Sequence, residues 1–132
     1  MQNKTHLGVY GIIFIQNKLV VIKKARGEYT GLFDLPGGTP EFLESFEDTL
    51  VREIYEETGL KITEYELLKP VLNIGVFDDV TLRHVGIIFR VTKFTGELKT
   101  VSDGEDSNGC VLLDMNEISE NNCTPFVCKA IG

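Results

Sequence analysis

The sequence has few of the residues that build disulfide frameworks and zinc sites. Its 132 residues include three cysteines and two histidines. Cys123 and Cys128 have no histidine partners at zinc spacing, and with Cys110 they form an odd set without a CxxC pair. Disulfide scaffolds and structural zinc sites need paired ligands at such spacings, so the thiols are expected to be reduced and not catalytic.

Basic residues and long apolar runs are scarce as well. Thirteen lysines and arginines face 20 aspartates and glutamates, which gives a net charge of −7. This balance argues against a nucleic-acid polymer as partner, because such proteins need a basic face. No apolar run is long enough to cross a membrane, and the apolar stretch 8–15 is followed by polar residues instead of a cleavage site. We therefore expect one cytoplasmic domain, residues 1–132, that forms a core without disulfides.

Carboxylates, in contrast, are abundant and are concentrated in the segment 38–60. Glu53 is three residues before Glu56 and four before Glu57, so the three side chains are neighbours on a helix. On the helical wheel Glu53 and Glu57 fall within the apolar stripe, and a carboxylate that faces a core must be paired, protonated or bound to a cation. Oxygen ligands without histidine or cysteine favour Mg²⁺ or Mn²⁺ over zinc. The stripe consists of Phe46, Leu50 and Ile54.

Local signals set the bounds of this acidic helix. Ser45 is a suitable N-cap, and Gly59 suits the left-handed position that ends a helix, so we predict a helix over residues 46–58. The Pro-Gly-Gly turn at 36–38 lies before it, and its glycines allow a ligand to approach the backbone closely.

The rest of the chain is rich in strand patterns. Residues 9–15 and 19–22 predict a hairpin, and 81–92 predict a long strand whose apolar centre is typical of a sheet covered on both faces. Strand-like residues 62–74 are interrupted near Lys69-Pro70, residues 99–109 predict a loop, and 110–113 a short strand. Residues 114–119 predict a short helix, and Thr124-Pro125 the start of the last one. Together these patterns indicate a mixed sheet between helices.

The segment 38–60 resembles the Nudix box. This chain has a residue of the required type at every fixed position of that pattern: Gly38, Glu44, Arg52, Glu53, Ile54, Glu56, Glu57, Gly59 and Leu60. The resemblance implies an α/β fold, the Nudix-type α/β/α sandwich with a mixed β-sheet between helices. Leu43 and the pair Thr49-Leu50 replace residues that are common in the family, which should alter loop shape and packing without loss of activity.

The resemblance also implies roles for the acids and for the glycine turn. Glu56 and Glu57 would be the principal ligands of Mg²⁺, with Mn²⁺ as the alternative ion. Glu53 would be a further ligand or the base that activates the attacking water. A backbone carbonyl of Gly37 or Gly38 would complete the metal shell, and the turn at Gly37 would contact the substrate.

Two arginines and more distant acids extend the implied site. Arg52 would orient the glutamates, and Glu44 would support the metal site or the helix geometry. Arg26, or Lys24 near it, is a candidate substrate contact because it comes before the glycine turn. Many members of the family add an acid from a distant loop. Glu105 is the best match for it, and its rivals are Asp103 and Asp106.

The implied reaction is metal-dependent hydrolysis of a nucleoside diphosphate linked to another group. A MutT-like enzyme that acts on nucleoside triphosphates or oxidised nucleotides is the first hypothesis. Hydrolases of ADP-ribose, nucleotide sugars or dinucleoside polyphosphates are alternatives, and so is a non-catalytic nucleotide-binding regulator. The implied partner is a nucleotide-type small molecule, and a homodimer is a state that the family allows. Asn121-Asn122 resembles a base-reading asparagine of MutT-like enzymes but is more typical of a turn.

Overall fold

The computed structural model describes residues 2–27, 29–99 and 107–132. Its helices are α1 (Phe46–Thr58) and α2 (Pro125–Ile131), with a 3₁₀ turn at Met115–Glu117. No helix in these ranges is long and apolar enough to span a membrane. The strands, in chain order, are β1 (Gln2–Ile12), β2 (Phe14–Ile15), β3 (Lys18–Lys24), β4 (Phe33–Asp34), β5 (Gly37–Gly38), β6 (Lys61–Phe77), β7 (Val80–Thr95) and β8 (Ser107–Leu113).

The strands form two sheets. The first has the order β5-β1-β7-β6, in which β1 runs parallel to β7 and the other neighbours are antiparallel. In the second sheet β3 pairs antiparallel with β2, β4 and β8. The first sheet is therefore mixed, as predicted.

Helices cover the sheets from two sides, each over its own core cluster. Leu50 and Ile54 of α1 pack into a cluster that also contains Val9, Ile13, Val20, Leu60, Ile62, Phe89 and Val91. Phe126, Val127 and Ala130 of α2 pack into a second cluster with Tyr10, Ile12, Leu19, Val21, Leu35, Val71, Ile88, Leu113 and Cys123. Because β1 contributes alternate residues to both clusters, the strands lie between the helices, and the predicted α/β/α sandwich is confirmed.

The predicted bounds of α1 agree with the structure. The Ser45 Oγ accepts a hydrogen bond of 3.0 Å from the backbone N–H of Asp48, and Gly59, at φ 80°, donates its N–H to the Tyr55 carbonyl. One part of the predicted stripe is wrong. Phe46 is 40% exposed, since it starts the first turn and extends beyond the core, whereas Leu50 and Ile54 are fully buried.

Three other expectations are corrected by the structure. Strand β6 runs without interruption through Lys69-Pro70, because a register shift between Leu67 and Lys69 absorbs the irregularity and β6 is an edge strand, where proline is tolerated. The predicted helix at 114–119 is a single 3₁₀ turn at Met115–Glu117. Strand β8 begins at Ser107 instead of residue 110, so it includes the end of the predicted loop 99–109.

Candidate active site

The glycine turn forms the edge strand β5 of the first sheet and lies close to both β1 and the acidic helix α1. Strand β5 pairs with β1 so that Val9 faces Gly38 and Tyr10 faces Gly37. A Cβ at Gly37 would collide with the Val9 carbonyl oxygen, and a Cβ at Gly38 would lie 2.5 Å from the carboxyl carbon of Glu53. Both glycines are therefore needed for the backbone to approach β1 and α1 so closely.

Glu57 is a buried acid at the centre of this contact. It is 6% exposed, and its Oε1 accepts a hydrogen bond of 2.7 Å from the backbone N–H of Gly37. The pKa of Glu57 is raised to about 8, mainly by burial, with the nearby carboxylates of Glu53 and Asp34 acting in the same direction and the Gly37 N–H and Lys24 in the opposite one. Without an added cation, the neutral form of this carboxyl is therefore favoured near pH 7.

Arg52 connects the first glutamate of the box to the helix acids. Its Nε and Nη2 donate to the two carboxylate oxygens of Glu44 at 2.7 and 2.8 Å, a bidentate pair. Its Nη1 donates to Glu53 Oε1 at 2.8 Å and reaches Glu56 Oε2 at 3.5 Å. The guanidinium, with help from the Glu41 N–H, lowers the pKa of Glu44 to about 2. Arg52 thus links Glu44 to Glu53 and restricts the orientation of the Glu53 carboxylate.

The three helix acids have different surroundings. Glu53 and Glu57 line one pocket of about 320 Å³ together with Gly37 and Gly38. Glu56 is exposed, and its carboxylate lies 3.5 Å from Arg52 Nη1. In the described part of the chain, no three acids, histidines or cysteines are already arranged to hold a metal ion.

The donor chemistry of Glu53 and Glu57 nevertheless fits a hard divalent cation. Both side chains offer oxygen atoms to the same pocket, and the buried Glu57 needs a positive charge nearby to ionise at neutral pH. Gly38 has no side chain, which allows the Glu53 carboxylate to lie close to its backbone. These residues would hold the ion on the helix side of the pocket.

Asp34 is a pocket residue that the sequence analysis missed. It is 3% exposed, and its Oδ1 accepts hydrogen bonds of 2.8 Å from the Leu35 N–H and the Thr124 hydroxyl. Lys24 Nζ lies 3.8 Å from its Oδ2, and burial raises the pKa of Asp34 from its ordinary value. An aspartate inside the apolar run 32–35 was the available signal, since such a position requires hydrogen-bond partners.

A second, larger cavity of about 600 Å³ adjoins the acidic pocket. The two share His6, Tyr10, Lys24 and Arg26 in their walls, so the predicted substrate contact at Arg26 lies at their junction. Sequence reasoning missed the aromatic and histidine residues here, which a one-dimensional pattern does not connect. The other lining residues of the larger cavity are Lys4, Thr5, Gly27, Tyr29, Leu82 and His84.

Two further predictions have separate outcomes. Glu105 and its rivals Asp103 and Asp106 lie outside the described residues. Asn121-Asn122 lies in a turn before α2, as its residue types favoured. The Asn122 side chain accepts from the Ser119 N–H and donates to the Glu117 carbonyl.

Comparison with known proteins supports the resemblance. An ADP-ribose pyrophosphatase from Methanocaldococcus jannaschii is 37% identical over 114 residues, which cover 85% of this chain and 63% of that protein. An 8-oxo-dGTP diphosphatase from Proteus vulgaris is 29% identical over 99 residues, covering 74% of this chain and 84% of that protein. The chain therefore spans less than two thirds of the length of the first of these relatives.

Structure and family comparisons agree with each other. The crystal structure of a MutT NUDIX hydrolase from Burkholderia pseudomallei has a TM-score of 0.83 at 24% identity, over 96% of this chain and 95% of that one, which shows the same fold. The family model described as the NUDIX domain matches residues 4–126. The chain belongs to the NUDIX domain family.

Proposed function

We propose that this protein is a divalent-metal-dependent pyrophosphohydrolase that acts on a nucleoside diphosphate linked to another group. The observation that carries the proposal is the pairing of Glu53 with the buried Glu57 in one pocket beside the glycine turn. A buried acid that is neutral when alone, and that a cation would ionise, is a costly arrangement for stability and is typical of a functional site.

Each side chain has a role that its position supports. A bound Mg²⁺ or Mn²⁺ would neutralise the polyphosphate and lower the pKa of a coordinated water. Glu57 and Glu53 would hold the ion, and Glu56 stays a predicted ligand. Glu53 lines the pocket and its Oε1 accepts from Arg52, so its carboxylate is oriented to hold the ion or to accept the proton of the attacking water. The water adds to phosphorus, the anhydride P–O bond breaks, and two phosphate-bearing products leave.

Cationic residues lie where the polyphosphate would continue out of the acidic pocket. Lys24 and Arg26 line both the acidic pocket and the larger cavity. A phosphate chain that reaches from one to the other would pass these charges, which supports its binding without a general basic face. Electrostatic stabilisation of the phosphate charge would then come from these residues and the metal together.

For the substrate, we propose a MutT-like preference for nucleoside triphosphates or oxidised nucleotides, with ADP-ribose as the second candidate. One relative is named an 8-oxo-dGTP diphosphatase and another an ADP-ribose pyrophosphatase. Both substrates have a nucleoside at one end of a phosphoanhydride, and the larger cavity beside the acidic pocket has room for that end. None of the three cysteines forms a disulfide, which supports the proposal of a reducing, cytoplasmic location.

The proposal is tested by a substrate screen with and without Mg²⁺ or Mn²⁺. The panel contains nucleoside triphosphates, 8-oxo-dGTP, ADP-ribose, nucleotide sugars and dinucleoside polyphosphates. We expect metal-dependent release of phosphate-bearing products from at least one of them. Glu53→Gln and Glu57→Gln should each lower kcat by about 100-fold or more, in the range of a lost acid–base or metal-ligand role.

A matched control on the same helix is Glu47→Gln, which changes an exposed acid outside the pocket and should leave kcat unchanged. Unchanged turnover in both pocket variants would refute the mechanism. Nucleotide binding without turnover of any substrate would instead favour a regulator. A homodimer remains a prediction, which sedimentation equilibrium would decide.

A further inference from the structure

A cross-strand row of polar side chains on one face of the first sheet reaches the larger cavity. His6 of β1 is paired in register with His84 of β7, and His84 is paired with Asn73 of β6. The rings of His6 and His84 are in edge contact, with centroids 4.8 Å apart. Both rings line the cavity.

One wall of the same cavity is an aromatic ring with a fixed orientation. Tyr29, from the connection between β3 and β4, packs its ring edge-on against Phe77 at a centroid distance of 5.4 Å. Its hydroxyl accepts a hydrogen bond of 3.0 Å from the Asn73 amide, whose oxygen in turn accepts from Lys129. A ring held at two points is suited to contact with a planar ligand.

His84 is held in one orientation by its neighbours. Its Nε2 is 2.8 Å from the Tyr10 hydroxyl, and the centroids of the His84 and Phe126 rings are 3.9 Å apart. Gly8 and Gly86, which face each other across β1 and β7, leave the space: a Cβ at Gly8 would collide with the Tyr10 hydroxyl, and one at Gly86 would lie 2.5 Å from Phe126. The sheet therefore has an opening into which these rings fit.

The same contacts decide which nitrogen of His84 carries the proton. Burial lowers the pKa of His84 to about 3, so the ring is neutral and only one nitrogen is protonated. The Tyr10 hydroxyl is buried, and an unpaired buried O–H is costly, so it donates to Nε2. The proton of His84 then lies on Nδ1.

The Nδ1–H is accessible from the cavity. In the described part of the chain, Tyr10 is the one hydrogen-bond partner of His84, and no fully buried side-chain nitrogen or oxygen lacks a partner. Since Nδ1 has no partner there, it is not fully buried, and because His84 lines the cavity this donor is available to a ligand in that space.

We propose that the larger cavity binds the base of a nucleotide, and that His84, held by Tyr10, donates its Nδ1–H to an acceptor on the edge of that base. The identification of the ligand as a nucleotide rests on the proposed function. Lys24 and Arg26, at the junction with the acidic pocket, then receive the phosphate end. A single fixed donor favours base edges that present a carbonyl oxygen or a ring nitrogen and disfavours an exocyclic amine at that point.

The test is equilibrium binding, which does not depend on catalysis. NMR titrations without metal compare GMP, AMP, CMP and UMP with ribose 5-phosphate, which has the same sugar phosphate but no base. For the wild type we expect at least one nucleotide to bind about tenfold or more tightly than ribose 5-phosphate. His84→Phe should weaken nucleotide binding by about the factor in Kd that one hydrogen bond contributes, and this loss should remove most of the difference. Binding of ribose 5-phosphate should be unchanged.

Tyr10→Phe is the milder variant, because it keeps the ring and removes the hydroxyl that fixes the tautomer. It should weaken the preferred nucleotide several-fold and reduce the discrimination between the four bases. The matched control is Tyr65→Phe, which makes the same change on the α1 side of the sheet and should alter neither ligand. Thermal unfolding confirms that each variant is folded.

The base site is refuted if nucleotides bind no more tightly than ribose 5-phosphate, or if both His84→Phe and Tyr10→Phe keep the wild-type difference. An equal loss for all ligands would also refute it, since that would show a structural effect. Base-selective binding without turnover of any substrate would contradict the proposed catalysis and keep the base site. The two proposals can therefore fail separately.

Discussion

At the residue scale, Glu57 shows how a buried acid links stability to pH. Its pKa is about 8 in the folded protein against an ordinary value of 4.5. Between these values the folded state binds more protons than the unfolded state, so stability is greatest below about pH 4.5 and falls as the pH rises toward 8. Above that value, this group causes no further loss.

We therefore predict that Glu57→Gln stabilises the metal-free protein at alkaline pH. Glutamine keeps an oxygen that can accept the Gly37 N–H but has no charge to bury. The free energy of unfolding should exceed that of the wild type by up to about 5 kcal/mol at pH 9 and should be similar at pH 4.5. Urea unfolding with EDTA from pH 4.5 to 9 measures this difference.

The control for this prediction is again Glu47→Gln, because Glu47 is exposed on the same helix and should give a curve parallel to the wild type. Addition of Mg²⁺ should restore part of the wild-type stability at pH 8, since the ion favours the charged carboxylate. If Glu57→Gln and the wild type lost stability equally between pH 5 and 8, the burial of this charge would not be costly.

At the element scale, the start of α2 is attached to β4 through Asp34. The Thr124 hydroxyl donates to the buried Asp34 at 2.8 Å, and the backbones of Phe33 and Thr124 are joined by a hydrogen bond. Thr124 was predicted as an N-cap from its position before Pro125, and α2 does begin there. Its hydroxyl, however, makes no hydrogen bond to the helix backbone and donates to Asp34 instead.

This contact predicts that Thr124→Val weakens the fold although the two side chains have nearly the same shape. The change removes one donor from a buried carboxylate, which costs about 1–3 kcal/mol. Urea unfolding at neutral pH measures the loss, and Thr92→Val, an exposed threonine of β7, is the matched control with an expected change within about 0.5 kcal/mol. Equal stabilities of Thr124→Val and the control would show that the α2–β4 attachment does not depend on this bond.

Elements were predicted well from the sequence where their signals are local. The caps Ser45 and Gly59 bound α1 through contacts within four residues, so the predicted and observed ends agree. Burial along the helix depends on which elements pack against it, and the apolar stripe predicted from the sequence is wrong at Phe46. The threonines Thr49 and Thr58 are fully buried on the same helix, which apolar patterning does not detect.

At the scale of the whole molecule, the candidate site combines residues from both sheets and one helix. The first sheet contributes Tyr10 and the glycine turn, the second contributes Lys24 and Asp34, and α1 contributes Glu53 and Glu57. The box acids were found from the sequence because they lie within one helix. Tyr10 and His84 became visible only with the strand register and the packing of the sheets, which single-sequence patterns do not contain. Asp34 had a signal in the sequence, its position inside an apolar run, which the sequence analysis did not use.

Because the site combines residues of both sheets, we predict that a bound nucleotide slows hydrogen exchange in both of them where they meet. The backbone N–H groups of Gly31 and Leu32, which close the connection above the cavity, and of Gly37, which binds Glu57, should exchange several-fold more slowly with GMP and Mg²⁺. The far end of the β6–β7 pair, residues 61–65 and 91–95, is the internal control, because it lies away from both pockets and should not change. Hydrogen exchange followed by mass spectrometry measures both regions in one sample. Protection spread evenly over the molecule would indicate global stabilisation instead, and protection of one sheet alone would contradict a ligand that spans the two pockets.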